Sequence, residues 1–286
     1  SNPRSNPTSS PCSCSINGIV SIMETQIVAA ALPYTQSEML NRGYAYASTI
    51  GPEHHGRNLL AHLATLYSHS TPHEWQQRLD HSEVTLDGLT ANGGESIAAG
   101  QTLVWNRPPW LEPDVPRHFE ILFEDPYLLA VNKPAGLPTI PGGGFLENTL
   151  LRLVQQRTPT AHPVHRLGRA TSGIVLFAKT PLAASTLCAD WNTPQVQKIY
   201  HALAQHIATQ DHYEILNPIG LVPHPRLGSV WAAHPQGKPS RSIARVVSRS
   251  ANTTTFEVSL GSGRPHQIRI HLASIGHPLV GDPLYG

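Results

Sequence analysis

Three segments of this chain concentrate imidazole, cationic and hydroxyl groups beyond what a fold needs: HRLGRATSG at 165 to 173, QKIY at 197 to 200, and GRPHQIRIHL at 263 to 272. The first holds two arginines and two hydroxyls in a loop that runs straight into the apolar stretch GIVLFAK. Loops carried on a rigid strand are where side chains are presented to ligands. Histidine as a residue type titrates near neutrality, so a general-base role is chemically open to His165 or His266. Both are read first as hydrogen-bonding scaffold. Thr171, Ser172 and Gly173 are expected to shape the turn into the strand through side-chain to backbone bonds and a permissive glycine. The third segment opens a helix whose first turn contains Arg264 and His266.

The elements that must position these groups can be read from apolar spacing. Between 56 and 107, Leu59, Leu63 and Leu66 repeat at helical intervals, Trp75 and Leu79 mark a second helix, and EVTLDG and QTLVW read as a hairpin. Pro108, Pro109, Pro113 and Pro116 stiffen a linker over 108–117, with a boundary near 115. Beyond it, over 118–286, FEILF and YLLAV flank the turn EDP, and Leu146, Leu150, Leu153 and Val154 follow helical spacing. Thr180 and Pro181 sit where an N-cap and a first helical residue belong, opening a helix over PLAASTLCADW. KIYHALA and TFEVSL alternate as strands do, and Ile268, Leu272 and Ile275 repeat helically before Gly276 and Pro278. Strands not separated by regular helices predict an α+β domain with a mixed, largely antiparallel sheet, preceded by a small helix-helix-hairpin domain, and argue against a doubly wound parallel sheet.

Composition excludes several function classes. No apolar run approaches the ~18 to 20 residues of a membrane span, so no membrane role is expected. Three cysteines, Cys12, Cys14 and Cys188, form no C-x-x-C pair, which favours a reducing, cytoplasmic setting over a disulfide framework or zinc ribbon. The 17 histidines include no H-E-x-x-H, so no metal is expected. Residues 1–22, rich in Ser, Pro and Asn, are expected to form a disordered leader, with Met23 a candidate start and organelle targeting weakly supported by Arg4 alone. The net charge of +1 conceals opposite halves: residues 1–116 hold five arginines and no lysine against ten carboxylates, whereas 117–286 hold fifteen basic residues against nine acidic ones. A polyanion would therefore be met mainly by the second half.

From about Phe119 onward the chain resembles RluA-type RNA pseudouridine synthases. VNKPAGLPTIPG is similar to the family's first motif, HRLGRATSG to its signature loop, K-x-Y to its third element, and GRPHQIRIHL with GHPLVGDPLYG to its last, in order over most of the domain. The segment over 56–107 more weakly resembles a small RNA-binding module of a ribosomal protein and many RNA-modifying enzymes, with only Arg78 as a cation on its second helix. The resemblance implies an enzyme that isomerises uridine in a structured RNA such as rRNA or tRNA, by base flipping and without a cofactor. It assigns Tyr200 to pack against the flipped base, Arg166 to occupy the vacated stack, and Arg264 to pair with a catalytic carboxylate. Arg169, Lys179, Lys198 and Arg269 are expected near RNA phosphates, and His165, His266 and Gln267 among the substrate-side residues. The carboxylate belongs at the fourth position of the signature loop, which here is Gly168. Glycine can be neither nucleophile nor base, so three readings stand: another carboxylate is recruited, with Asp282 and Asp190 the first candidates; the mechanism is a variant; or the chain is a catalytically silent RNA binder. The family's domain continues past D-P-L-Y-G, so 118–286 is also expected to be truncated at its C-terminus.

Overall fold

The computed structural model describes residues 26–27 and 40–286 apart from 68, 192 and 194. The leader expected over 1–22 lies outside the described residues. The chain divides into two units, 36–113 and the combination of 1–35 with 114–286.

A short strand, β1 (Gln26–Ile27), belongs to the larger unit. The smaller unit then runs β2 (Tyr44–Thr49), α1 (Leu59–Leu66), α2 (Pro72–Asp80), β3 (Val84–Leu86), β4 (Leu89–Thr90) and β5 (Thr102–Arg107). Its helices start where their caps dictate. The Asn58 side chain accepts from Ala61 N–H, and Thr71 and Glu74 form a reciprocal capping box ahead of Pro72. Asp87 and Gly88, both at positive φ, turn β3 into β4. The strands order as β2-β5-β3-β4, all antiparallel, over a core of Leu59, Leu63, Trp75, Leu79, Val84, Ile97 and Leu103. The helix-helix-hairpin expected over 56–107 is thus joined by a strand from outside it, β2, paired to β5 from Tyr44 opposite Arg107 to Thr49 opposite Thr102.

The larger unit continues with β6 (Glu120–Glu124), β7 (Leu128–Lys133), α3 (Leu150–Arg157), β8 (His162–Pro163), β9 (Gly173–Ala178), α4 (Pro181–Asp190), β10 (Ile199–Gln205), β11 (His212–Ile215), β12 (Ile219–His224), β13 (Gly228–Ala233), β14 (Ser242–Ser250), β15 (Thr253–Leu260) and α5 (Gln267–Ser274). One sheet orders as β6-β7-β9-β8, a second as β1-β10-β15-β14-β11, and β12 pairs with β13 as a separate ribbon. Every pairing is antiparallel except β1 with β10. This is the α+β class with the largely antiparallel sheets that the strand pattern predicts.

Each sheet carries its own core. Leu129, Val131, Leu150, Val154, Val175 and Phe177 fill the first, with Leu167 of the signature loop among them. Ala202, Ile215, Ala244, Phe256, Val258, Ile268 and Leu272 fill the second. Burying each large aliphatic or aromatic side chain contributes about 1.5–3 kcal/mol. Tyr200 packs against both cores, which sets β10 at the seam between the signature loop and the helix of the last motif.

Candidate active site

The signature loop is fixed by its backbone. Leu167, 7% exposed, is anchored twice by Thr139, whose hydroxyl donates to Leu167 O at 2.9 Å and accepts from Leu167 N–H at 3.2 Å. One residue beyond the glycine, Arg169 O accepts from Gly136 N–H at 2.8 Å and from Lys133 Nζ at 3.3 Å. Lys133 is fully buried at the end of β7 and also donates to Pro134 O at 2.9 Å and Leu137 O at 2.8 Å. Desolvation of its ammonium lowers its pKa to about 7. The loop's apolar residue therefore points into the core while Arg166, Gly168 and Arg169 are exposed. The Arg169 guanidinium lies 5.5 Å from the Phe145 ring centre.

Gly168 sits in a turn closed by Thr171 N–H donating to its carbonyl at 3.1 Å. A Cβ there would meet only Thr171 Oγ1, at an ordinary 3.5 Å. The backbone is thus built to carry a side chain at this position and carries none.

His165 begins the loop stacked on Trp191, with ring centres 4.4 Å apart, and its Nε2 accepts from Leu176 N–H at 3.2 Å. Burial, reinforced by the Lys198 charge, lowers its pKa to about 4. It is a neutral acceptor at pH 7. Lys198 lies 5.3 Å from the Trp191 ring centre, and burial lowers its pKa. Tyr200, opposite Val258 on β15, is half-buried, and desolvation raises its phenol above the ordinary value, so it stays neutral. A neutral ring with one apolar face suits packing on a base.

The last motif is assembled around Gln267, which is 3% exposed. Its Oε1 accepts from Ser262 Oγ at 2.8 Å and Arg264 N–H at 3.0 Å, and its Nε2 donates to Arg241 O at 2.9 Å and Ser242 Oγ at 3.0 Å. That amide is fully engaged by the protein, so Gln267 shapes the motif from within; the expected substrate contact is not what its surroundings favour. Among the described residues the Arg264 guanidinium meets no carboxylate, reaching Pro239 O from Nε and Nη2 at 3.4 Å each.

Asp282 goes elsewhere. Arg269 grips it in a bidentate pair, Nε to Oδ2 and Nη2 to Oδ1 at 2.7 Å each, and Oδ1 also accepts from the Leu284 and Tyr285 amides. Burial alone would raise the Asp282 pKa, but the Arg269 bonds and the two amides outweigh it and hold the carboxyl below its ordinary value. Asp282 is therefore a structural anion here, and Arg269, expected at a phosphate, is neutralised by it. Lys179 is likewise engaged, donating to Glu124 Oε1 at 3.0 Å and Asp125 O at 2.8 Å. Asp190 ends α4, where its carbonyl serves Thr193 N–H and Oγ1.

Arg166 belongs to the same neighbourhood as the last motif, being close enough to His266 to disfavour its imidazolium. Behind the loop, a cleft of about 470 Å³ is lined by His118, Phe119, Glu120, Asn132, Lys133, Pro134, Ser172 and Gly173. Neither Tyr200 nor Arg264 lines it, so the motif chemistry lies outside that cleft. Among the described residues no group of three or more His, Cys, Asp or Glu could hold a metal, and no helix is long and apolar enough to cross a membrane.

Lys133, Thr139, Trp191 and Tyr285 are the site-building residues that motif reading alone did not single out. For Lys133 a signal existed, because the period of two along LLAVNK puts it on the face of Leu129 and Val131.

A family model described as RNA pseudouridylate synthase matches residues 127–274. An uncharacterised RNA pseudouridine synthase of Synechocystis sp. is 40% identical over 222 residues, spanning 77% of this chain and 76% of that protein. RNA pseudouridine synthase 5 of Arabidopsis thaliana is 40% identical over 281 residues, with 86% of this chain and 76% of that protein covered. The solved structure of human RNA pseudouridylate synthase domain containing 1 superposes with a TM-score of 0.53 at 26% identity, over 61% of this chain and 72% of that one.

Proposed function

The chain belongs to the RNA pseudouridine synthase family, and we propose that it converts uridine to pseudouridine in a structured RNA, rRNA or tRNA, by drawing the target nucleotide out of its stack. The observation that carries this reading is the anchored loop. Thr139 and Lys133 hold the backbone on either side of Gly168 while Arg166 and Arg169 stay exposed, and Tyr200 packs into the core that also takes Leu167. A planar cation at Arg166 suits the gap left by an extruded base, and the Tyr200 ring suits the base itself.

The isomerisation breaks the bond from N1 to C1′, turns the base, and forms a bond from C5 to C1′; C5 loses its proton and N1 gains one. A carboxylate at position 168 would act at the electron-poor C1′ or on a sugar proton, as carboxylates do at other glycosidic centres. Gly168 offers none, and Asp282 is held by Arg269 rather than brought to Arg264. These two facts favour a second reading, in which the chain binds RNA without turnover.

One experiment separates the two. Purified chain is incubated with total RNA, and pseudouridine is mapped by carbodiimide-blocked primer extension for the wild type and Gly168→Asp. New stops with the wild type are the expected result, and stronger stops with Gly168→Asp, whose Cβ would meet only Thr171 Oγ1 at an ordinary 3.5 Å. Salt-dependent RNA binding with no stops from either protein establishes the silent binder; no stops and no binding overturn both readings.

A further inference from the structure

Tyr285, in the terminal DPLYG, is fixed from three sides. The Asp282 carboxylate accepts from its backbone N–H at 3.1 Å, the Arg269 guanidinium lies 4.8 Å from its ring centre, and its hydroxyl donates to Trp231 O on β13 at 2.7 Å. The same hydroxyl oxygen is 2.9 Å from His266 Nδ1. A phenol has one proton, and here it points at the Trp231 carbonyl. The oxygen must therefore accept at His266, so Nδ1 carries the imidazole hydrogen and Nε2 is left as a bare lone pair. This is the less populated tautomer of free histidine.

Burial, Arg269 and Arg166 all disfavour the imidazolium, against Asp282 alone. The residue as a whole is exposed although its ring is partly desolvated, and Nε2 meets no partner among the described residues. The backbone is equally committed: His266 precedes α5 at φ +55°, a left-handed conformation that a non-glycine residue keeps only where its surroundings enforce it.

Resting on the function proposed above, we propose that Tyr285 is a positioning residue which holds His266 as a fixed hydrogen-bond acceptor, and that His266 Nε2 takes a proton donor of the target nucleotide, the ribose 2′-hydroxyl or the uracil N3–H. Arg166 is near enough to disfavour the His266 imidazolium, which keeps this acceptor neutral.

The first test needs no RNA. In the full chain labelled with ¹⁵N-histidine, long-range ¹H–¹⁵N spectra at pH 7 should show one ring with protonated Nδ1 and unprotonated Nε2, absent in His266→Gln and shifted towards protonated Nε2 in Tyr285→Phe. A wild-type His266 protonated on Nε2, or a Tyr285→Phe spectrum with the tautomer unchanged, overturns the positioning role. The second test measures binding of an oligouridylate by fluorescence anisotropy. His266→Leu should lose about five- to tenfold in affinity, the scale of one hydrogen bond, and His266→Gln, whose amide oxygen can replace Nε2, should recover most of it. An all-2′-deoxy oligomer or an N3-methyluridine oligomer that erases the difference between wild type and His266→Leu identifies the donor. Equal binding by wild type and His266→Leu overturns the acceptor role while leaving the proposed function intact; no binding of the oligouridylate by the wild type, with the expected tautomer present, counts against the proposed function rather than the positioning role.

Discussion

A buried ammonium is among the costliest groups a core can hold, and Lys133 is tolerated because three carbonyls surround it. Replacing it with methionine keeps the volume and leaves the carbonyls of Pro134, Leu137 and Arg169 without their donor. Lys133→Met is expected to destabilise the chain by about 2–3 kcal/mol in urea denaturation at pH 7. The pH dependence follows from the lowered pKa of about 7. Between that value and the ordinary lysine range the unfolded chain binds more protons than the folded one, so this group's contribution to stability rises with pH through that window. The gap between wild type and Lys133→Met should therefore widen from pH 7 to pH 9.5, and a constant gap would contradict the desolvated ammonium. Residue identity carried much of the site: Tyr200 and Arg264 are legible from their motifs, and the glycine at 168 is visible as a departure. The tautomers of His165 and His266 were not, because each is set by one partner, Leu176 N–H or the Tyr285 hydroxyl, that lies beyond the reach of sequence spacing.

Elements whose ends are capped locally were the ones the sequence defined well. Thr180 accepts from Ala183 N–H at 3.2 Å and Pro181 opens α4, as their order predicts. The stretch from His212 to Ala233 was opaque for the opposite reason. Pro218, Pro223 and Pro225 interrupt any alternation there, and β11 finds its partner, β14, across the intervening ribbon. Long-range closure also governs the signature loop. Its anchor, Thr139, is 28 residues from Leu167 and only 3% exposed. Thr139→Val keeps the shape but leaves both Leu167 backbone groups unpaired, with an expected loss of about 2 kcal/mol and lost hydrogen-exchange protection at the Leu167 amide. Thr139→Ser, which retains the hydroxyl, should restore that protection; if Val protects the amide as well as Thr, the loop is held by packing alone.

At the scale of the whole molecule, sequence counting places the positive charge in residues 117–286 but cannot say which cations remain to meet a polyanion. Pairing decides that. Arg157 and Lys179 share Glu124, Arg245 meets Glu257, Arg241 meets Glu214, Arg249 meets Asp211, and Arg269 is closed onto Asp282. The exposed pairs among these contribute little to stability, and every pair, exposed or buried, lowers the charge its arginine or lysine can offer to phosphate. Arg166 and Arg169 make no ion pair among the described residues and flank Gly168 on the exposed side of the anchored loop. They should therefore account for a disproportionate share of the counterions released on RNA binding. Replacing both with glutamine is expected to reduce the slope of log affinity against log salt by about 1.4 to 1.8, the equivalent of two phosphate contacts, whereas Arg245→Gln should leave it nearly unchanged. Filter binding from 50 to 300 mM salt measures both. Equal slopes for the double variant and Arg245→Gln would mean that RNA is gripped by the unit's surface charge at large, and that the exposed loop arginines have no privileged part in it.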